Sequence, residues 1–120
     1  VKALLDTNIL IDYLNGIDAA REEIRRYEAP LISTITWMEV IVGVSNDERQ
    51  AVRSFLSRFI QVNIDAEVAE IAVSIRRKFK MRLPDAIIWA SARRENALLI
   101  SRNTKDFPAD SPGVRAPYRV

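Results

Sequence analysis

The sequence predicts a three-layer α/β/α sandwich around a central, mostly parallel sheet. Three observations predict it. Short apolar runs bounded by polar residues recur along the chain, helical apolar spacing fills the stretches between them, and three glycines and five prolines leave little room for long loops. Strands that alternate with helices imply right-handed crossovers, which make neighbouring strands parallel and place helices on both faces of the sheet. At 120 residues and 48% hydrophobic, the chain fits one compact domain over residues 1–120, large enough to bury roughly two thirds of its unfolded surface.

The first strand is Ala3-Leu4-Leu5, closed by Asp6, Thr7 and Asn8 before Ile9-Leu10-Ile11 opens a short helix. Asp12 lies one to two turns into that helix and reads as solvent-facing, because polar residues in mid-helix normally face water. Asp18, Asp47 and Asp65 stand where helix N-caps belong. Leu31-Ile32-Ser33-Thr34-Ile35 reads as the second strand, Phe59 to Ile64 as the third and Ala97 to Ile100 as the fourth. Between them, Val52, Phe55, Leu56 and Phe59 define one helical core face, and Val68, Ile71, Ala72, Ile75 and Phe79 another, both at i, i+3, i+4, i+7 spacing. Pro84 suits a helix start, and Ala86-Ile87-Ile88-Trp89-Ala90 behind it reads as buried nearly all round. Beyond Asp106, the residues Pro108, Pro112, Gly113 and Pro117 mark an irregular tail or a final edge strand.

Composition narrows the chemistry. The absence of Cys removes disulfides, thiolate metal sites and cysteine nucleophiles, and the absence of His removes imidazole zinc sites, Ser-His-Asp triads and histidine acid/base pairs. Hydrolysis, if the chain performs it, runs on carboxylates with a hard cation. No apolar stretch approaches the ~20 residues that span a bilayer, and the early Asp6 is unlike a signal peptide, so a cytoplasmic location is expected. Residues 1–60 carry seven Lys/Arg against nine Asp/Glu, whereas residues 61–120 carry eleven against seven. That basic second half suits a polyanion; solvated helix faces are the plainer reading. Arg76, Arg77, Lys78, Lys80 and Arg82 run just ahead of Asp85, and Arg102 follows the fourth strand.

Four acidic or polar groups stand at strand exits or helix starts, where ligands bind in open parallel sheets. Asp6 ends the first strand, and could equally be a helix cap. Glu39 is the acid in an otherwise apolar helix, although Thr36-x-x-Glu39 also has capping-box spacing. Asp85 enters a buried helix, where the helix dipole offers only ~0.3–1 kcal/mol. Ser101-Arg102-Asn103-Thr104-Lys105-Asp106-Phe107 is a site segment or simply a polar turn. Together they could form the oxygen-only shell that Mg²⁺ or Mn²⁺ prefers. A response-regulator receiver is disfavoured, because the paired acid after the first strand is missing and Asp65 is better explained as a cap.

With these residues in order, the sequence resembles the PIN-domain nucleases and, within them, the VapC-type toxins of bacterial toxin–antitoxin pairs. Leu5-Asp6-Thr7-Asn8-Ile9-Leu10-Ile11-Asp12, Ser33-x-x-Thr36-x-x-Glu39-Val40, Leu83-Pro84-Asp85-Ala86 and Ile100-Ser101-Arg102-Asn103-x-x-Asp106-Phe107 are similar to the family's successive motifs. The resemblance implies a metal-dependent endoribonuclease using Mg²⁺ or Mn²⁺, a homodimer, a VapB-like antitoxin partner, and contact with DNA only through that antitoxin. Asp6, Glu39 and Asp85 carry over onto the family's first three acids. Asp6 and Asp85 are expected as principal ligands, Glu39 as ligand or water-orienting base, and Thr7 and Ser101 as supporting hydroxyls. At the fourth position, where many PIN domains have Asp, this chain has the neutral Asn103, expected as an oxygen donor; that puts a second metal in doubt. Asp106 is expected either to compensate or to cap the local turn. Arg76, Arg77, Lys78, Lys80, Arg82 and Arg102 are then candidate RNA contacts. The competing reading keeps the fold as a non-catalytic RNA-binding or regulatory scaffold.

Overall fold

The computed structural model describes residues 1–120. Five strands, β1 (Ala3–Leu5), β2 (Leu31–Ser33), β3 (Ile60–Val62), β4 (Leu98–Ile100) and β5 (Val114–Arg115), form the sheet. Six helices cover it: α1 (Thr7–Leu14), α2 (Asp18–Arg25), α3 (Thr34–Val42), α4 (Asn46–Leu56), α5 (Ala66–Phe79) and α6 (Leu83–Arg94). Every strand pairing is parallel, in the order β3-β2-β1-β4-β5. The expected sandwich is present, and its sheet is parallel throughout.

Strand side chains alternate between the two faces, and the two hydrophobic cores follow from that alternation. Ala3 and Leu5 of β1 pack with Ile9, Leu10, Ile24, Val40, Val52 and Phe55 from α1 to α4. Leu4 points the other way and packs with Val68, Ala72, Ile75, Ala86, Ile88 and Trp89 from α5 and α6. Trp89 is the largest fully buried side chain, with Phe107 edge-on to it at 5.6 Å between ring centres. As the sequence suggested, α6 is buried on almost every side, including Asp85, Ala90 and Ser91.

Element ends differ from the sequence reading for local reasons. The second strand stops at Ser33 because its hydroxyl accepts the Ile35 N–H at 3.1 Å and turns Thr34 and Ile35 into the first turn of α3. Asp65 is an N-cap, accepting from the Val68 N–H at 2.9 Å. Asp18 and Asp47 are not: Ile17 and Ser45 hold those positions, and the two acids lie in the first turn, where the helix dipole favours them. The tail supplies β5 as a final edge strand. Phe79 lies at the exposed end of its helical face, with its ring 5.0 Å from that of Trp89.

The topology fixes where a site can form. The chain runs β1 to β2 to β3 in one direction, and the α5–α6 hairpin then returns it across the sheet to β4 on the other side of β1. The connections leaving β1 and β4 therefore diverge, opening a crevice at their carboxyl ends. Arg94, at the end of α6, pairs with Asp65 and Glu67 at the start of α5, so the two helices are antiparallel. The Lys80–Arg82 turn and the start of α6 consequently lie together at the other end of the hairpin. No helix is long and apolar enough to cross a membrane.

Candidate active site

Asp6 is the first residue past β1 and the N-cap of α1, with its carboxylate accepting from the Thr7 N–H at 2.7 Å. The cap reading of Asp6 is thus realised, by a side chain that also stands at the exit of β1. Its second oxygen accepts from the Ser101 hydroxyl at 2.7 Å and from the Asn8 amide at 3.3 Å. These partners come from the ends of β1 and β4, the two strands that flank the crevice. Asp6 is only 4% exposed. Burial is the largest influence on its carboxyl group and raises its pKa to about 6, with the Asp85 and Glu39 carboxylates pushing the same way against the Ser101 and Thr7 hydrogen bonds.

Glu39 is exposed rather than near the core, because α3 turns that face toward the crevice. It does not close a capping box: α3 begins two residues before Thr36, and Glu39 instead accepts from the Thr7 hydroxyl at 2.6 Å. That hydroxyl also lies 3.0 Å from the Thr36 hydroxyl. Asp85, in the first turn of α6, is buried, with the Arg82 guanidinium 3.4 Å from one of its oxygens. Asn103 donates to Asp106 at 2.9 Å and accepts from the Asp106 N–H at 3.3 Å, a reciprocal pair that closes the local turn. Asp106 accordingly takes the turn-capping role, and it does not line the cleft.

Asp6, Thr7, Asn8, Ile11, Glu39, Arg82, Asp85 and Asn103 line one cleft of about 310 Å³. Asp6, Glu39, Asp85 and Asn103 are brought together, with Ser101 just behind Asp6. No three acidic groups converge on a single point in the positions they occupy, because separate partners hold them apart: Thr7 holds Glu39, Arg82 holds Asp85, and Ser101 with Asn8 holds Asp6. The donor set is all oxygen and rich in carboxylate. It fits a hard cation that keeps several waters and takes only one or two carboxylates directly, which is how Mg²⁺ is usually held.

Two residues depart from their sequence reading. Asp12 is not on the surface but 5% exposed, because Arg102 grips it through Nε at 2.7 Å and Nη2 at 2.9 Å. Arg102, expected to face phosphate, is thereby committed to an internal carboxylate. Asn8 and Tyr118 were given no role from sequence, yet Asn8 bridges Asp6 and Ser101, and the Tyr118 hydroxyl donates to Asp12 at 2.8 Å. Only the Asp-Thr-Asn run hinted at Asn8; nothing local marks Tyr118. Of the basic stretch, Arg76, Arg77, Lys78 and Lys80 are exposed and make no ion pair, and Arg82 reaches the cleft.

The fold and site are those of a parallel α/β sandwich with an acidic cleft at its topological switch point. Residues 3–109 match the PIN domain, and the chain belongs to that family. It is similar, at 46% identity and a TM-score of 0.93 over 98% of this chain and 99% of the other, to a chain of a toxin–antitoxin complex from Klebsiella pneumoniae. It is 30% identical to ribonuclease VapC10 of Mycobacterium tuberculosis over 88% of this chain and 85% of that protein. A DNA-bound VapBC from Salmonella typhimurium aligns at 26% identity and a TM-score of 0.79, over 96% of both chains.

Proposed function

We propose that this chain is the toxin of a toxin–antitoxin pair, a single nuclease domain over residues 1–120 that cleaves RNA with Mg²⁺ or Mn²⁺ in the cleft of Asp6, Glu39 and Asp85. The observation that carries this reading is the meeting of three carboxylates and Asn103 in one cleft at the switch point of a PIN-family fold. Similarity to a VapC ribonuclease supplies the substrate class. Asp6 and Asp85 would hold the cation, with Glu39 and Asn103 completing its surroundings directly or through water. When bound, the cation supplies Lewis acidity and neutralises charge that builds on the phosphate.

The chain's own residues do the rest. Thr7 fixes one oxygen of Glu39, and the other makes no hydrogen bond to protein, leaving it to orient a water and take its proton. That water attacks phosphorus in line, the bond to the 3′ oxygen breaks, and the leaving oxygen takes a proton from solvent, giving 5′-phosphate and 3′-hydroxyl ends. The 2′-hydroxyl takes no part. Arg82, exposed at the cleft rim, can leave Asp85 for a phosphate oxygen.

Similarity to a toxin–antitoxin complex also supports a VapB-like antitoxin as partner, and the DNA-bound VapBC supports a complex of the two that binds DNA; that this chain meets DNA only through the antitoxin is part of the proposal. Ile11, Leu14, Met38 and Val42 expose apolar surface on α1 and α3 beside Glu39, a face an antitoxin helix could cover while a basic side chain enters the acidic cleft. The two copies of a homodimer and a cytoplasmic site of action complete the reading. The test is cleavage of end-labelled single-stranded RNA with Mg²⁺ or Mn²⁺. Activity lost in EDTA, restored by the cation, and yielding 5′-phosphate ends is the expected result. Cleavage that persists in EDTA would overturn the dependence on a cation, whereas a wild-type protein that binds RNA without cutting it favours the scaffold reading.

A further inference from the structure

The cleft is held from behind by charges that its chemistry does not use. Asp12 of α1 is buried, its carboxylate gripped at both oxygens by the Arg102 guanidinium and contacted at 2.8 Å by the Tyr118 hydroxyl from the C-terminal tail. A fork of this kind fixes direction as well as distance, which a point charge does not. Arg102 is also the residue between Ser101 and Asn103, in a segment between β4 and β5 that has no helix or strand of its own. Its backbone N–H donates to the Asn8 side-chain oxygen at 3.3 Å, and the Asn8 amide reaches Asp6 and Ser101, each at 3.3 Å. Ser101 in turn donates to Asp6 at 2.7 Å and accepts the Asn103 N–H at 3.0 Å. The hydrogen bonds therefore run unbroken from the tail to the cleft.

We infer that Asp12, Arg102 and Tyr118 form a positioning brace, by which the C-terminal tail sets the orientation of Asp6 and Asn103 toward cation and substrate. The inference rests on the nuclease reading above and deepens it. Arg102 acts inward, through the backbone of its own segment, and makes no contact with substrate. Residues that orient metal-binding side chains commonly govern affinity or turnover by ~10–100-fold, without changing how the substrate is held elsewhere.

The experiment measures RNA cleavage and Mn²⁺ affinity by calorimetry for Arg102→Gln, Arg102→Lys, Tyr118→Phe and the Arg102→Gln/Tyr118→Phe double variant, all below their melting temperatures. Arg102→Gln is expected to lower kcat and weaken Mn²⁺ binding by ~10-fold or more, with KM for RNA and the salt dependence of binding unchanged. Arg102→Lys keeps the charge but not the fork and should lie between wild type and Arg102→Gln. Tyr118→Phe should lose severalfold in kcat, and adding it to Arg102→Gln should cost nothing further, because both act through Asp12. A rise in KM with a flatter salt dependence would make Arg102 a phosphate contact and overturn the brace. A lower melting temperature with kcat and Mn²⁺ affinity intact would reduce it to a stability element and overturn it equally. Should Arg102→Gln fail to fold, Arg102→Lys and Tyr118→Phe decide the matter by the same readouts. Wild-type cleavage tests the nuclease reading separately, since the Mn²⁺ affinities report on the brace even in a protein that cuts no RNA.

Discussion

Asp6 is a carboxyl group kept from water among other carboxylates, and that predicament has a measurable signature. Its pKa, raised from 3.8 to about 6, means that the folded state binds a proton more readily than the unfolded chain. The contribution of Asp6 to stability is therefore least unfavourable below pH 4, worsens as pH rises through that interval, and carries its whole penalty above it, up to ~3 kcal/mol. Asp6→Asn keeps an acceptor for the Thr7 cap and removes the charge, so the cation-free variant should melt several degrees above wild type at pH 8 and show no gain at pH 4. A calorimetric scan at both pH values checks this; an equal gain at each would refute the electrostatic origin. The same variant should cut no RNA. Glu39→Gln separates structure from chemistry at the second acid, because Glu39 bonds only Thr7 and caps nothing. It should melt within a degree or two of wild type and lose RNA cleavage by ~100-fold or more, whereas full activity would remove Glu39 from the chemistry. Asp6 and Asp85 were legible as candidates because strand exits and helix starts converge at the switch point of a parallel sheet, and Glu39, in the middle of α3, because it is the one carboxylate in an otherwise apolar helix. Asp12 was not, since its partner Arg102 lies 90 residues away and helical periodicity reports only on local neighbours.

At the scale of elements, the sequence marked the strands by apolar runs and the helices by their spacing, while helix starts depended on whichever side chain reached a free N–H. The weakest signal was β5, two residues long at the sheet edge; Val114 buries it in the core on one side, and charge fastens the other residue. Arg115 of β5 forks onto Glu23 of α2 at 2.8 and 3.1 Å, and the Tyr27 hydroxyl adds a bond at 2.7 Å. Burial alone would raise the Glu23 carboxyl, but the hydrogen bonds from Arg115 and Tyr27 outweigh it and hold the group below its ordinary value. An acid depressed in this way contributes stability that is present above its unfolded pKa and lost as pH falls through its folded one. Arg115→Gln should thus destabilise the protein by about 2 kcal/mol near neutrality, a figure reduced from that of a fully buried pair because Arg115 is partly exposed. The deficit should shrink as pH falls, because without Arg115 the buried Glu23 takes up a proton more readily and then no longer needs a cation. Urea denaturation at pH 7 and pH 3.5 measures both; a deficit independent of pH would mean that Arg115 acts by packing alone.

Across the whole molecule, charge is arranged by the same hairpin that positions Asp85. Arg94 ties the start of α5 to the end of α6, so the free end of the hairpin carries Arg76, Arg77, Lys78 and Lys80 beside the turn that leads to Arg82 and the cleft. These four are exposed and unpaired with any carboxylate, in contrast to Lys2, Arg26 and Arg115 around the larger concavity of about 770 Å³ at the amino ends of the strands, which are spoken for by Glu95 and Glu23. Unpaired cations beside an acidic cleft suit a polyanion that must enter it: under the proposed function the acids would gather the divalent ion, and the rim would hold phosphates on either side of the scissile bond. Replacing Arg76, Arg77 and Lys78 with Gln should weaken single-stranded RNA binding and reduce the steepness of its log–log salt dependence by ~0.7 for each phosphate that is no longer neutralised. Mn²⁺ affinity should stay unchanged, because none of the three residues lines the cleft. The same cations also favour the C-terminus of α5, so the variant should lose ~0.3–1 kcal/mol of stability per charge at low ionic strength. That cost is expected under either role, which leaves the salt slope to decide: an unaltered slope with only the stability loss would confine these residues to supporting their own helix.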